Sequence, residues 1–365
     1  MRIPDYSRGT LADVLPGALT ALGMTGLSDP LGLASTLEGV RRVAVLLVDG
    51  MGYHNLPSYA ATLAPQRITC GFPSTTPTSL VSFATGVAPG GHGVLSFFAV
   101  IPGTDRVLNH TLWTDDPSPF EWQPVPPLYV AAAAQGIPVT VVNRPEFVGS
   151  GLTVVTTTGA DYRPAAGVDE LAAEMLGALA GGGLVYGYHP ELDKAGHYAG
   201  LTSEAWHAVA SEVDALLVRL IDGLPADAAL IVTADHGQLD VPSDKRIDLD
   251  ALPDGVRVIA GEPRVRYLHT EPGAAGDVLE SWRALAGHAA MVLSREEIIE
   301  TGWYGPVDRA FAERIGDVVL VCRDDWALFS PKFDHPHLPK LVAMHGGLTE
   351  AEMDIPLFVL KAGSC

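Results

Sequence analysis

Short aliphatic runs punctuate this chain, and most end in glycine or in a residue able to bind a metal. Val43 to Val48 is followed by Asp49-Gly50-Met51-Gly52, and Ala229 to Val232 by Thr233-Ala234-Asp235-His236-Gly237. Leu184 to Tyr186 leads into Leu192-Asp193-Lys194-Ala195-Gly196-His197, and Leu341-Val342-Ala343-Met344 into His345-Gly346-Gly347. Val139 to Val142 and Val318 to Val321 are further runs of this kind. Unbroken apolar runs of this length predict strands buried on both faces. Between them lie helical stretches. In Ser203 to Asp222, residues Trp206, Val209, Val213, Leu216, Leu217 and Leu220 form one apolar stripe, which predicts an amphipathic helix packed on the core. Pro77 to Thr85 also reads as helix. Strands alternating with helices predict an α/β fold, with a mostly parallel central sheet covered by helices on both faces.

Two passages break the rhythm. Asp115 to Pro127 holds Trp122 and five prolines and reads as an ordered surface loop. From Gly261 to Asp334 the composition changes: Arg264 to Leu268, a helical Asp277 to Leu285, then Arg295 to Ile299. We read one catalytic domain over residues 1–365, with 261–334 as an inserted β-α-β subdomain.

A net charge of −20 and a pI near 4.8 exclude a nucleic-acid scaffold or an anionic membrane surface as partner. Phosphate can still bind such a chain where metal ions supply local positive charge. Cys70, Cys322 and Cys365 have no paired spacing, as expected in a reducing compartment. The first residues lack a basic-then-apolar leader pattern, and no stretch approaches about 18 uninterrupted apolar residues. The expectation is a cytoplasmic protein; its oligomeric state is left open.

Three aspartates and three histidines then stand near predicted strand ends, where open α/β sheets place their sites. Asp49 is pinned by the run before it. Asp235 and His236 are adjacent, so both reach one ion only if the backbone turns there, and Gly237 permits the turn. Asp193 and His197, four apart, share a side if that segment is helical; a tight loop is the alternative. His345 alone reads more often as a satisfied core or turn residue than as a ligand. Thr76, in Pro73-Ser74-Thr75-Thr76-Pro77, sits where a helix cap is expected. The same place suits a hydroxyl nucleophile, because a helix start favours a phosphoryl oxygen. Asp49, Asp193, Asp235 and a Thr76 alkoxide total −4, which two divalent cations balance; nitrogen and carboxylate ligands suit Zn²⁺, with Mn²⁺ as the alternative.

Together these pieces resemble the alkaline phosphatase superfamily, in its nucleotide pyrophosphatase/phosphodiesterase branch. The resemblance runs from Val43 to Leu357. It rests on Leu47-Val48-Asp49-Gly50, Phe72 to Pro77, Thr85-Gly86-Val87-Ala88-Pro89 with His92-Gly93, Leu192-Asp193 with Gly196-His197, and Ala234 to Gly237. It implies that Asp49, Thr76, Asp235 and His236 hold one metal and Asp193, His197 and His345 the other. Thr76 is then the nucleophile, with Thr75 as the alternative. Where the family commonly has Asn three residues after the nucleophile, this chain has Ser79. That leaves Thr78 and Ser79 as the expected substrate-binding hydroxyls. The sulfatase branch is disfavoured, since its Cys/Ser-x-Pro-x-Arg motif is absent. The implied protein is a metal-dependent phosphoester hydrolase acting on a small phosphoester or nucleotide, as a phosphodiesterase or nucleotide pyrophosphatase. A phosphomonoesterase, a phosphonate C–P hydrolase and a non-catalytic metal-binding protein are the alternatives.

Overall fold

The structure is a computed structural model that describes residues 1–249 and 254–363. In chain order its main strands are β1 (Arg42–Val48), β2 (Gln66–Thr69), β3 (Val139–Asn143), β4 (Asp161–Pro164), β5 (Gly183–His189), β6 (Ala228–Thr233), β7 (Val256–Glu262), β8 (Val265–Thr270), β9 (Ala290–Ser294), β10 (Val318–Cys322) and β11 (Asp354–Lys361). A seven-stranded sheet takes the order β2-β11-β6-β1-β5-β3-β4. From β6 to β4 all neighbours are parallel, while β11 runs antiparallel to both β6 and β2. Three of the predicted aliphatic runs, Val43 to Val48, Leu184 to Tyr186 and Ala229 to Val232, occupy its centre. Val43 to Val48, Leu184 and Ala229 to Val232 are fully buried, as strands covered on both faces must be.

The flanking helices include α1 (Thr76–Thr85), α2 (Glu191–Ala199) and α3 (Glu204–Asp222). Ser203 caps α3, accepting from the Trp206 N–H, and five of its six predicted stripe residues are buried, Val209 being half-buried. The segment holding Asp193 and His197 is helical, so the two share a face. Asp115 to Pro127 contains one short helical turn, Pro119–Trp122, whose Trp122 is buried.

A second sheet, β7-β8-β10-β9, is antiparallel throughout. Helix α4 (Ala275–Ala286) joins β8 to β9, which run parallel with β10 between them: a β-α-β unit with a strand inserted. A buried ion pair ties this sheet to the core. Arg264, in the β7–β8 turn, donates to both carboxylate oxygens of Glu352 at 2.8 Å. Glu352 lies in the short helix α5 (Glu350–Met353) and also accepts from the Gly347 N–H and the Thr349 hydroxyl. Cys70 and Cys322 are buried free thiols, and Cys365 lies outside the described residues. No helix among the described residues is long and apolar enough to cross a membrane.

Candidate metal centre

β1 lies between β5 and β6, in register and parallel, so the carboxyl ends of all three strands emerge together. Asp49 directly follows β1, Asp235 follows β6 by two residues, and Asp193 sits in α2 just after β5. Gly50 makes the first turn. Its φ is +72°, and a Cβ there would come within 2.9 Å of Asp193, so only glycine lets the β1 turn pass so close to α2. His345 arrives differently from expectation. The run before it forms only a two-residue strand, Ala343–Met344, paired with Leu239–Asp240 outside the central sheet.

Asp49, Thr76, Asp235 and His236 converge. His236 Nε2 lies 3.1 Å from Thr76 Oγ1, 3.5 Å from Asp49 Oδ1 and 3.4 Å from Asp235 Oδ2. Those two carboxylate oxygens are buried with no hydrogen-bond partner among the described residues. Next to them stand Asp193, His197 and His345. His197 Nε2 is 3.2 Å from Asp193 Oδ2, and His345 Nε2 is 3.8 Å from Asp193 Oδ1. The His236 and His345 rings stack at 3.7 Å, so His236 borders both groups.

Each histidine is backed by a carbonyl. His197 Nδ1 meets Ala343 O at 2.8 Å, His345 Nδ1 meets Ser74 O at 2.9 Å, and His236 Nδ1 meets Gly237 O at 3.2 Å. With Nδ1–H donating to a carbonyl, Nε2 is left as a lone pair aimed inward, the arrangement found behind metal-bound histidines. The Nε2 atoms of His197 and His345 face each other at 3.2 Å. Two such lone pairs at that distance repel unless a proton or a cation lies between them. Orphaned carboxylate oxygens and facing imidazole lone pairs together fit a pair of divalent cations.

Electrostatics agree. Burial, then the neighbouring Asp235 and Asp193, pushes Asp49 well above the usual carboxylate range. Burial and Asp193 push Asp235 up to about 6. Three carboxylates packed this closely call for positive charge. Burial also lowers His236 to about 4 and His345 to about 3, leaving both neutral and ready to coordinate. Burial would raise Asp193 and lower His197, but their mutual attraction wins: Asp193 stays low and His197 is raised.

Thr76 is the first residue of α1, one place beyond the cap position expected of it; Thr75 is the N-cap and makes no side-chain cap bond. The Thr76 hydroxyl therefore caps nothing and pairs with His236. Thr78 and Ser79, expected at the substrate, are fully buried with unpartnered hydroxyls. Neither is among the residues lining the cavity beside Thr76, to which α1 contributes Leu80, Phe83 and Ala84. That cavity, about 590 Å³ with its mouth, is walled by Asn143, Phe147, Ser150, Tyr186 and Tyr188 among others. A second cleft opens on the Asp193–His197 side, lined by Phe97, Phe98, Lys194, His335 and His337.

Sequence reading missed Tyr188 and Gln238. The Tyr188 hydroxyl donates to Asp49 Oδ2, and the Gln238 amide to Asp193 Oδ1. Tyr188 sits one residue before the end of β5, where a polar tip after an aliphatic run was a usable signal; nothing marked Gln238.

An open α/β sheet with this carboxylate–imidazole group beside a helix-start hydroxyl defines a metal-dependent hydrolase type of site. The family model described as type I phosphodiesterase / nucleotide pyrophosphatase matches residues 43–348, so the chain belongs to that family and is an enzyme of that class. The fold is similar to mouse ectonucleotide pyrophosphatase/phosphodiesterase 5, with a TM-score of 0.68, 21% identity and 87% of each chain covered. The human counterpart matches at a TM-score of 0.68 and 18% identity, with 88% of each chain covered. Phosphonoacetate hydrolase from Sinorhizobium meliloti 1021, bound to phosphonoformate, also matches at a TM-score of 0.68 and 21% identity, covering 88% of this chain and 90% of its own. No curated protein matches by sequence.

Proposed function

We infer that this enzyme hydrolyses phosphodiesters of small molecules or nucleotides, with Thr76 as nucleophile. The observation that carries the reading is the cavity onto which Thr76 opens: no lysine, arginine or histidine is among its lining residues. A diester carries one negative charge at phosphorus, and a monoester dianion or a carboxylate-bearing phosphonate would ask for cations there. Arg163 pairs with Asp161 and Glu174 and is not among the residues lining that cavity.

Asp49, Thr76, Asp235 and His236 would hold one divalent cation, and Asp193, His197 and His345 the other. Zn²⁺ suits these donors best and Mn²⁺ is the alternative. When bound, the ions offset the charge of three carboxylates and of the phosphoryl group, and lower the pKa of the threonine hydroxyl. Thr76 Oγ1, its proton lost to solvent, attacks phosphorus in line. The leaving alkoxide departs and is protonated by water. Water then attacks the phosphoryl-threonine ester, freeing Thr76 and the monoester product. Tyr188 and Gln238 hold Asp49 and Asp193 in place throughout. An inactive threonine-to-alanine form of the mouse enzyme, in complex with AMP, fits a threonine in this role. Two buried free thiols fit the cytoplasmic reading.

A phosphonate substrate is the second reading, favoured by Lys194 at the other cleft. A hydrolysis panel decides: one aryl phosphodiester, the matching monoester and a phosphonate, each with Zn²⁺ or Mn²⁺. The diester should give the highest kcat/KM; a clearly higher monoester or phosphonate value overturns the diester reading.

A further inference from the structure

Glu262 ends β7 and reaches from the inserted sheet to the metal centre. It is 4% exposed. Its Oε2 accepts the Phe97 N–H at 3.0 Å, while its Oε1 has no partner among the described residues. It packs against Gly346: a Cβ there would lie 2.7 Å from Glu262 Cγ and 3.1 Å from Oε1. Beside it is a pocket of about 380 Å³, the open solvent at its mouth included, whose walls include Glu262, Phe97, Phe98, Met344, His197 and His345. The pocket shares Phe97, Phe98, His197, Leu338 and Leu341 with the cleft that also holds Asp193 and Lys194. A buried carboxylate oxygen without a donor is costly, and costs less once a ligand supplies one.

We propose that Glu262 is a specificity-determining residue, selecting leaving groups that carry an N–H donor, a protonated primary amine above all. This rests on the phosphodiesterase reading. In-line attack by Thr76 sends the leaving oxygen away from α1, toward the side held by Asp193, His197 and His345. The substituent on that oxygen then lies among Phe97, Phe98 and Glu262. The apolar walls exclude water, so an N–H meeting Oε1 forms a charge-assisted bond in a dry place. A carboxylate-bearing leaving group would face Glu262 as a like charge. The inserted sheet thus contributes discrimination, while the central sheet contributes the reacting groups.

The test uses three methyl phosphodiesters, whose leaving phenols carry a para aminomethyl, methyl or carboxyl group. They are assayed with the metal-loaded enzyme and with Glu262→Gln. The assay runs at pH 9, above the value of about 8 to which burial pushes Glu262. Intrinsic leaving-group differences cancel when the same ratio is compared between enzyme and variant. In the unaltered enzyme, kcat/KM for the aminomethyl ester should exceed that of the methyl ester by about tenfold, with the carboxyl ester slowest. In Glu262→Gln the amide oxygen can still accept the Phe97 N–H, so the pocket wall stays in place while its NH₂ faces the ligand. The aminomethyl preference should vanish or invert, with the methyl ester hydrolysed within about threefold of before. A ratio near one in the unaltered enzyme, or a ratio unmoved by the substitution, overturns the proposal and makes Glu262 an anchor for Phe97. Turnover of none of the three esters overturns the diester reading, and this inference with it.

Discussion

Thr76 had two readings in the sequence, helix cap or nucleophile, and the backbone sets the first aside. Its hydroxyl faces His236 and caps nothing. Thr76→Ala should therefore cost little stability, less than the roughly 0.5–2 kcal/mol of a lost cap, while kcat falls by several orders of magnitude. Paired thermal melts and single-turnover assays check this. A variant with near-normal turnover would pass the nucleophile role to Thr75. That six Asp and His residues converge was legible because a carboxylate–imidazole cluster needs few residue types, placed near the ends of apolar runs. Thr78 and Ser79 were picked out by closeness in sequence alone; both are buried with unpartnered hydroxyls, and neither lines the cavity beside Thr76. Two residues along a helix point away from Thr76, whereas Leu80 and Phe83, four and seven along, return to its face.

The helices and strands of the core were legible from aliphatic runs and one amphipathic stripe. The ladder before His345 was not, since two residues carry no periodicity. Also invisible was the contact between the β7–β8 turn and α5, which pairs Arg264 with Glu352 across 88 residues. Both side chains are fully buried. Glu352→Leu alone strands a buried guanidinium and should cost about 3–5 kcal/mol in denaturant unfolding. Adding Arg264→Met should recover most of that loss, because an apolar pair of similar volume replaces the ion pair. If the double variant is as unstable as the sum of the two single ones, Glu352 matters mainly through its bonds to Gly347 and Thr349, which hold the turn after His345.

For the molecule as a whole, removing metal should leave an acid-rich cluster without counter-charge. Elemental analysis should find close to two divalent metals per chain. Chelation should abolish activity and lower the melting temperature, and Zn²⁺ should restore both. His345→Ala should empty the Asp193 side before the Thr76 side. Stoichiometry near zero with activity indifferent to chelators would remove the two-metal site. Acid should also unfold the metal-free chain. Burial lowers His92 and His345 to about 3, and His110, His189, His236 and His269 to about 4. The unfolded chain takes up protons near 6.5, the folded chain only far below, so stability falls as pH drops from about 6.5 toward 4. The raised groups Asp13, Asp49, Asp235, Glu262 and His197 act with the opposite sign but are outnumbered. Melts in chelator at pH 7 and pH 5 should show the lower midpoint at pH 5; a flat profile would mean the imidazoles find protons inside the fold.

The position of β11 reaches back to how the protein is made. It follows every other described strand in sequence, yet it lies inside the sheet, between β2 and β6. Asp49, Thr76, Asp193 and Asp235 all leave the ribosome before it does. Until residues 354–361 follow, β2 has no partner strand and β6 has an open edge. The nascent chain thus carries these acidic side chains through most of its synthesis in an unfinished sheet, and its affinity for metal should appear abruptly, once β11 joins the sheet.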